Sequence, residues 1–313
     1  MKLVVAFLKM IRLPNLFFIV ITQLLFHRAI IQPVTASAGL QPVLDGWIFI
    51  YLILASVFIA AAGYIINDYF DINIDNVNKP KVNVVDTIVS RRWAMAWHFI
   101  LSGAGLILSG YIAWVTGFWY ILIGNFACVI LLFGYSVSLK KKLLAGNVLI
   151  SLLTAWVILI ISISEFNIIA VNNQQLINMV NKISRIGFLY ASFAFISSLI
   201  REAIKDIEDM QGDAKYGCRT MPVVWGVNAT KVYIAVWLVV IVSLLIILQI
   251  YVWPYKWWWP MIYSVLFIIL PFAFIFFKLR KARSTKDYHS LSNWTKLVML
   301  TGILSMIFFY FYL

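Results

Sequence analysis

Acidic residues are scarce in this chain: Asp and Glu together number 12 in 313 residues, against 25 Lys and Arg. Histidine is rarer, at 3, and cysteine stands at 2. Cys128 and Cys218 lie far apart, and His27, His98 and His289 stand alone, so neither a disulfide framework nor a zinc-type ligand spacing exists. There is no Walker-type Gly-rich loop, no His-Glu-x-x-His, and no Ser, His and Asp set that would build a nucleophile. Charged residues make up only 12% of the chain and hydrophobic ones 63%, with a mean hydropathy of +0.94. That balance excludes a soluble fold and fits a polytopic membrane protein.

A membrane span needs about 20 mostly apolar residues. Nine stretches meet that requirement: 13–32, 47–66, 94–115, 118–138, 147–164, 186–204, 229–252, 257–278 and 294–313. No segment remains for a separate soluble domain, so residues 1–313 read as one integral membrane unit, all-α, with its spans around a central cavity. With the N-terminus cytoplasmic, 21 Lys and Arg fall inside and 4 outside, a bias strong enough to set topology. The expected location is the inner membrane of a prokaryotic cell. The net charge of +13 is mainly this bias, together with attraction to anionic headgroups, and does not call for a nucleic-acid partner. The run Phe17 to Phe26 behind Lys2, Lys9 and Arg12 has the outline of a signal peptide, but eight further spans make a retained first helix the simpler reading. Trp257, Trp258 and Trp259, with Tyr251, Trp253 and Tyr255, read as an aromatic belt at the outer surface.

Against this background, seven of the 12 carboxylates fall in two short stretches, 67–75 and 206–213, each attached to an apolar run. On a helix Asn67, Asp71 and Asp75 share a face, with Asp68 beside them; Glu202, Asp206, Asp209 and Asp213 form a second stripe. Like charges in a stripe repel, and divalent cations between two stripes would remove the repulsion. Hard Mg²⁺ favours a few carboxylates together with water and substrate phosphates. Basic residues in the same inside segments complete a polyanion site: Lys79, Lys81, Lys140, Lys141 and Arg219. A diphosphate has the matching charge, and beside a membrane cavity it suggests a lipid diphosphate. Solvated helix ends are the bland alternative. A cation-coupled transporter is the non-enzyme one, but it would place its carboxylates nearer mid-membrane. An apolar helix that runs into an acidic stripe and then a basic, Pro-containing loop occurs twice, which would bring the two stripes face to face.

Asn67-Asp68-x-x-Asp71-x-x-x-Asp75 resembles the first signature of the UbiA superfamily of intramembrane prenyltransferases. Asp206-x-x-Asp209-x-x-x-Asp213 with Arg219-Thr220-Met221-Pro222 resembles the second. Arg12-Leu13-Pro14-Asn15, Tyr135-Ser136-x-x-Leu139-Lys140 and Gly146-Asn147 agree with it. The segment from Arg201 to Asp213 is most similar to the branch that forms digeranylgeranylglyceryl phosphate. The chain departs from the family in having Lys79-Pro80 where Arg-Pro is common, and Val82 to Val89 where a second Arg-Pro stretch stands.

The resemblance implies Mg²⁺-dependent transfer of a prenyl group, geranylgeranyl in that branch, from its diphosphate to a lipid acceptor such as geranylgeranylglyceryl phosphate. An aromatic acceptor is the alternative. It implies metal ligands at Asn67, Asp71, Asp75, Asp206, Asp209 and Asp213, and catalytic roles for Asp68, Asp71, Asp206 and Asp209. Lys79, Lys81, Lys140, Lys141 and Arg219 would bind diphosphate, and Arg12, Asn15, Arg91 and Lys205 the acceptor.

Overall fold

The computed structural model describes residues 2–78, 84–165 and 174–312. A short helix, α1 (Lys2–Met10), precedes nine helices long and apolar enough to cross a membrane among the described residues. They are α2 (Leu13–Ser37), α3 (Gly46–Asn78), α4 (Arg91–Thr116), α5 (Trp119–Val137), α6 (Ala145–Ser164), α7 (Gln174–Lys215), α8 (Met221–Tyr255), α9 (Trp258–Lys281) and α10 (Thr285–Tyr312). The number and order of spans agree with the hydropathy reading. Lys79 and Lys81 lie outside the described residues.

The main difference from the sequence reading lies in helix length. Hydropathy ends the second span near residue 66 and the sixth near 204, yet α3 runs on to Asn78 and α7 to Lys215. The apolar signal stops where the chain meets charge, but helical geometry does not. Each acidic stripe is therefore a rigid helical extension rather than part of a loop, and its carboxylates keep the fixed angular spacing of the helix.

Two helices carry a proline in their interiors. The π-helical segments Phe26–Ile31 and Val265–Ile269 come just before Pro33 and Pro271, respectively. A proline lacks an N–H and crowds the carbonyl four residues back, and a widened turn relieves both problems. Elsewhere close approach does the packing. A Cβ on Gly105 of α4 would stand 2.7 Å from Ile59 Cγ1 and 3.2 Å from the Ala55 carbonyl of α3, so glycine lets these two helices touch.

α7 is the central helix. It packs against α6, α8 and α10 and also meets α3, while α3 is flanked by α4 and α5. One apolar core joins α2, α3, α6 and α7 through Phe26, Ile30, Leu52, Ile160 and Ile183. A second joins α7 to α8, α9 and α10 through Ile200, Ile204, Leu238, Phe272 and Leu291. Between the cores a space remains, and it is walled by the acidic ends of α3 and α7.

Candidate active site

That space is a cavity of about 1130 Å³. Its walls carry seven carboxylates, all from the two stripes: Asp68, Asp71 and Asp75 of α3, and Glu202, Asp206, Asp209 and Asp213 of α7. Below them the lining turns apolar and aromatic, with Leu132, Trp156, Phe193, Ile303 and Met306, down to Tyr190. Tyr190 precedes Asp206 by 16 residues on one helix, so the cavity runs roughly 24 Å along α7 at 1.5 Å per residue. The Tyr190 hydroxyl meets Ser305 Oγ at 2.8 Å at this lower end. At the rim, Val5 and Leu8 of α1 line the cavity while remaining 47% and 38% exposed.

The acidic ends are held by specific contacts. Lys140, in the short 3₁₀ turn after α5, donates to Asp71 Oδ1 with both side chains largely buried. Asn147 Nδ2 at the start of α6 donates to Asp206 Oδ2 at 2.8 Å. Thr220 Oγ1 donates to Asp213 Oδ2 at 3.2 Å. Across the two stripes, Asn78 Nδ2 donates to the Asp209 carbonyl at 2.9 Å, and Asn78 Oδ1 accepts from the Gly212 N–H at 2.8 Å. Arg12 Nη2 donates to Asp68 Oδ1 at 2.7 Å and stacks over Tyr64 at 5.1 Å. Burial opposes the Arg12 charge, but the Asp68 carboxylate more than offsets it and lifts its pKa above the ordinary guanidinium value. Arg12 takes a left-handed backbone conformation, φ 51°, at the joint between α1 and α2.

The structure thus brings Asn67, Asp68, Asp71, Asp75, Asp206, Asp209 and Asp213 to one cavity, with Lys140, Arg12, Asn15 and Lys205. Three expected residues stay outside it. Lys141 follows Lys140 in the 3₁₀ turn, where successive side chains point about 120° apart, and it faces outward. Arg219 is exposed; its backbone N–H bonds the Lys141 carbonyl at 2.8 Å. Arg91, the first residue of α4, forks onto Asp86 Oδ2 at 2.9 and 3.1 Å on the exposed face. Missed by sequence reasoning were Tyr64, Tyr135, Asn147, Arg201 and Lys296, all on the site. Tyr135, Asn147 and Arg201 lay in motifs that could have drawn attention to their side chains; Tyr64 and Lys296 did not. Cys218, in the loop between α7 and α8, is no nucleophile: burial and the Asp213 charge push its thiol up.

The donor set fits a hard cation. It is all oxygen, and Asn67 Oδ1 is buried with no hydrogen-bond partner among the described residues. No three His, Cys, Asp or Glu side chains among those residues form a ready-made cage. Mg²⁺ does not need one, because it commonly binds through one or two carboxylates, with water and phosphate oxygens completing an octahedron.

Residues 31–311 match the UbiA prenyltransferase family. Among curated relatives, the digeranylgeranylglyceryl phosphate synthase of Methanosphaera stadtmanae is 29% identical over 252 residues, 80% of this chain and 83% of that protein. The same-named protein of Thermococcus kodakarensis is 33% identical over 198 residues, 63% of this chain and 62% of that one. Among solved structures, a UbiA homologue from Aeropyrum pernix aligns over 93% of this chain and 98% of its own, with 15% identity and a TM-score of 0.65. A UbiA homologue from Archaeoglobus fulgidus, bound to DMAPP and Mg²⁺, aligns over 96% and 98% with 14% identity and a TM-score of 0.56. The chain is an integral membrane enzyme that belongs to the UbiA prenyltransferase family.

Proposed function

We propose that this enzyme transfers a geranylgeranyl group from geranylgeranyl diphosphate to the free hydroxyl of geranylgeranylglyceryl phosphate, as one integral membrane unit with its acidic site on the cytoplasmic side. The observation that carries this reading is the facing of two acidic helix ends across one cavity that runs roughly 24 Å along α7 from Asp206 to Tyr190 and is apolar and aromatic toward its lower end. A geranylgeranyl chain has 16 main-chain carbons, and at about 1.2 Å per bond, the advance of an extended backbone, it spans roughly 19 Å. The run from the carboxylates down to Tyr190 therefore accommodates it. The name shared by the curated relatives supports the acceptor.

In this reading Asn67, Asp71, Asp75, Asp206, Asp209 and Asp213 hold Mg²⁺ against the diphosphate. When bound, Mg²⁺ would draw off charge as the diphosphate leaves. Asn147 and Thr220 orient Asp206 and Asp213, so the carboxylates meet the substrate in fixed positions. Lys140 exchanges part of its bond to Asp71 for a diphosphate oxygen, with Lys79 and Lys81 as further point charges. The allylic C1–O bond breaks and leaves its electron pair on the diphosphate. Tyr64 and Tyr135, which line the cavity near the carboxylates, keep water from the carbocation. The acceptor oxygen bonds C1, and its proton passes to a carboxylate, for which Asp68 is placed, or to the released diphosphate.

The test is incubation of the purified protein with labelled prenyl diphosphates and a panel of acceptors. Faster transfer to geranylgeranylglyceryl phosphate than to 4-hydroxybenzoate, 1,4-dihydroxy-2-naphthoate or homogentisate is expected. Preference for any of the three rings would move the protein to the aromatic branch.

A further inference from the structure

Among the acidic stripes and just below them the cavity also gathers cations. Arg201 and Lys205 are one turn apart on α7, and Arg201 lies five residues, about 7 Å of helix, deeper than Asp206. Arg12 enters from the α1–α2 joint and Lys296 from α10, so three parts of the fold deliver four cations to one wall region. Two carboxylates answer them. Asp68 pairs with Arg12 at 2.7 Å, and Glu202 is shared between Arg201 at 2.9 Å and Lys205 at 3.7 Å.

Lys296 has no carboxylate partner among the described residues. Its Nζ donates to the neutral Asn15 Oδ1 at 2.7 Å and sits 5.3 Å from the Phe18 ring. Arg12, Arg201 and Lys205 are all near enough to repel it. In addition, Arg201 Nε is buried with no hydrogen-bond acceptor among the described residues. An ammonium without a carboxylate partner and an unfilled guanidinium donor inside a membrane-spanning bundle are costly unless an anion completes the arrangement. In the reading above the prenyl diphosphate belongs nearer the mouth, where Mg²⁺ held by Asp71, Asp75, Asp206 and Asp209 would neutralise it, which leaves these cations for a second anion.

We infer that Lys296 and Arg201, with Arg12 and Lys205, form a phosphomonoester subsite that anchors the headgroup of the lipid acceptor. This rests on the acceptor reading above and adds the two residues that select for it. Arg201 offers a planar fork for two phosphate oxygens and Lys296 a point charge. Asn15 positions the ammonium, and Phe18 covers one side of it. A phosphate held here lies within two helical turns of the diphosphate layer, which sets the neighbouring hydroxyl of a glyceryl ether at C1 of the donor.

The experiment compares wild type with Lys296→Gln and Lys296→Arg. In Lys296→Gln the KM for geranylgeranylglyceryl phosphate rises about tenfold or more, the KM for geranylgeranyl diphosphate stays within twofold, and the preference for phosphorylated over unphosphorylated acceptor shrinks by the same factor. Lys296→Arg restores most of the acceptor KM. Titration calorimetry in EDTA, which needs no turnover, shows geranylgeranylglyceryl phosphate binding wild type at least tenfold tighter than Lys296→Gln. An unchanged acceptor KM, or an equal rise in both KM values, overturns the inference. So does inorganic phosphate competing as well as the lipid, since that assigns the cluster to a free anion. If wild type prenylates only aromatic rings and binds no phosphorylated acceptor in EDTA, the acceptor reading falls with it. Binding of that lipid without transfer would sink the acceptor reading alone.

Discussion

Asn78, the last residue of α3, clasps Gly212 in the final turn of α7: its side-chain oxygen accepts the Gly212 N–H at 2.8 Å while its amide donates to the Asp209 carbonyl at 2.9 Å. The two acidic helix ends are thus locked at a fixed separation by a residue that bears no charge. A Cβ on Gly212 would fall 2.5 Å from Asn78 Nδ2, so only glycine admits the clasp.

Asn78→Ala removes both bonds and is expected to cost about 1–3 kcal/mol of stability, at roughly 0.5–1.5 per net hydrogen bond. Gly212→Ala breaks the same clasp by crowding. Thermal unfolding in detergent measures the loss, and Mg²⁺ titration is expected to show weaker metal binding in both variants. Metal affinity equal to wild type would mean that the clasp does not set the site.

Chelation is expected to abolish turnover, and added Mg²⁺ or Mn²⁺ to restore it, because seven carboxylates converge on one cavity and a divalent cation is what lets them share it with a diphosphate. Undiminished transfer in excess EDTA would refute the mechanism.

Asp71→Asn and Asp206→Asn keep side-chain volume but remove a charge from the site proposed to hold Mg²⁺ and diphosphate. Each is expected to lower kcat/KM by about 10²-fold or more, within the range seen when a preorganised electrostatic contact is lost. Neither lies in the apolar cores, so the far-ultraviolet circular dichroism spectrum should match wild type. A variant that runs near the wild-type rate would reassign the ligands.

Sidedness can be read by labelling. Ile88 stands 51% exposed in the segment after α3, whereas Val85 beside it is fully buried and a poor reporter. In intact cells an engineered Ile88→Cys should resist a membrane-impermeant maleimide, while a cysteine at the exposed Lys256 reacts. Labelling at Ile88 would place the acidic site on the outer surface.

Glu165, just past α6, is fully buried and accepts the Val43 N–H at 3.2 Å. Burial raises its carboxyl pKa from 4.5 to about 7. The folded state then holds a proton that the unfolded chain releases near pH 4.5, so this residue's contribution falls as pH rises from about 4.5 to about 7 and stays low above that. Glu165→Gln should flatten that part of the Tm–pH curve. A slope equal to wild type would show that Glu165 does not titrate there.

The nine spans and both acidic stripes were legible because each is a local pattern: apolar length for one, i, i+4 spacing for the other. Lys140 was legible through its motif, but which of three consecutive lysines turns inward depends on a 3₁₀ turn that composition does not reveal. Lys296 looked like one more inside charge. Its partner Asn15 is 281 residues away, and no periodicity links the two. Arg91 looked available, yet Asp86, five residues earlier, satisfies it on the surface. The helical reach of α3 and α7 beyond their apolar runs was legible only through the spacing of the carboxylates, since hydropathy measures solvent preference and not backbone geometry.

Val5 and Leu8 give the cavity an exposed apolar rim, which would suit passage into the lipid phase rather than into bulk water. A substrate or product that crosses this sill moves in two dimensions, so its activity is a mole fraction in the bilayer and not a molar concentration. Diluting a detergent-solubilised preparation with more micelles would thin the acceptor around each enzyme even at constant total amount. Apparent KM values for a membrane-borne substrate would therefore scale with the lipid or detergent phase.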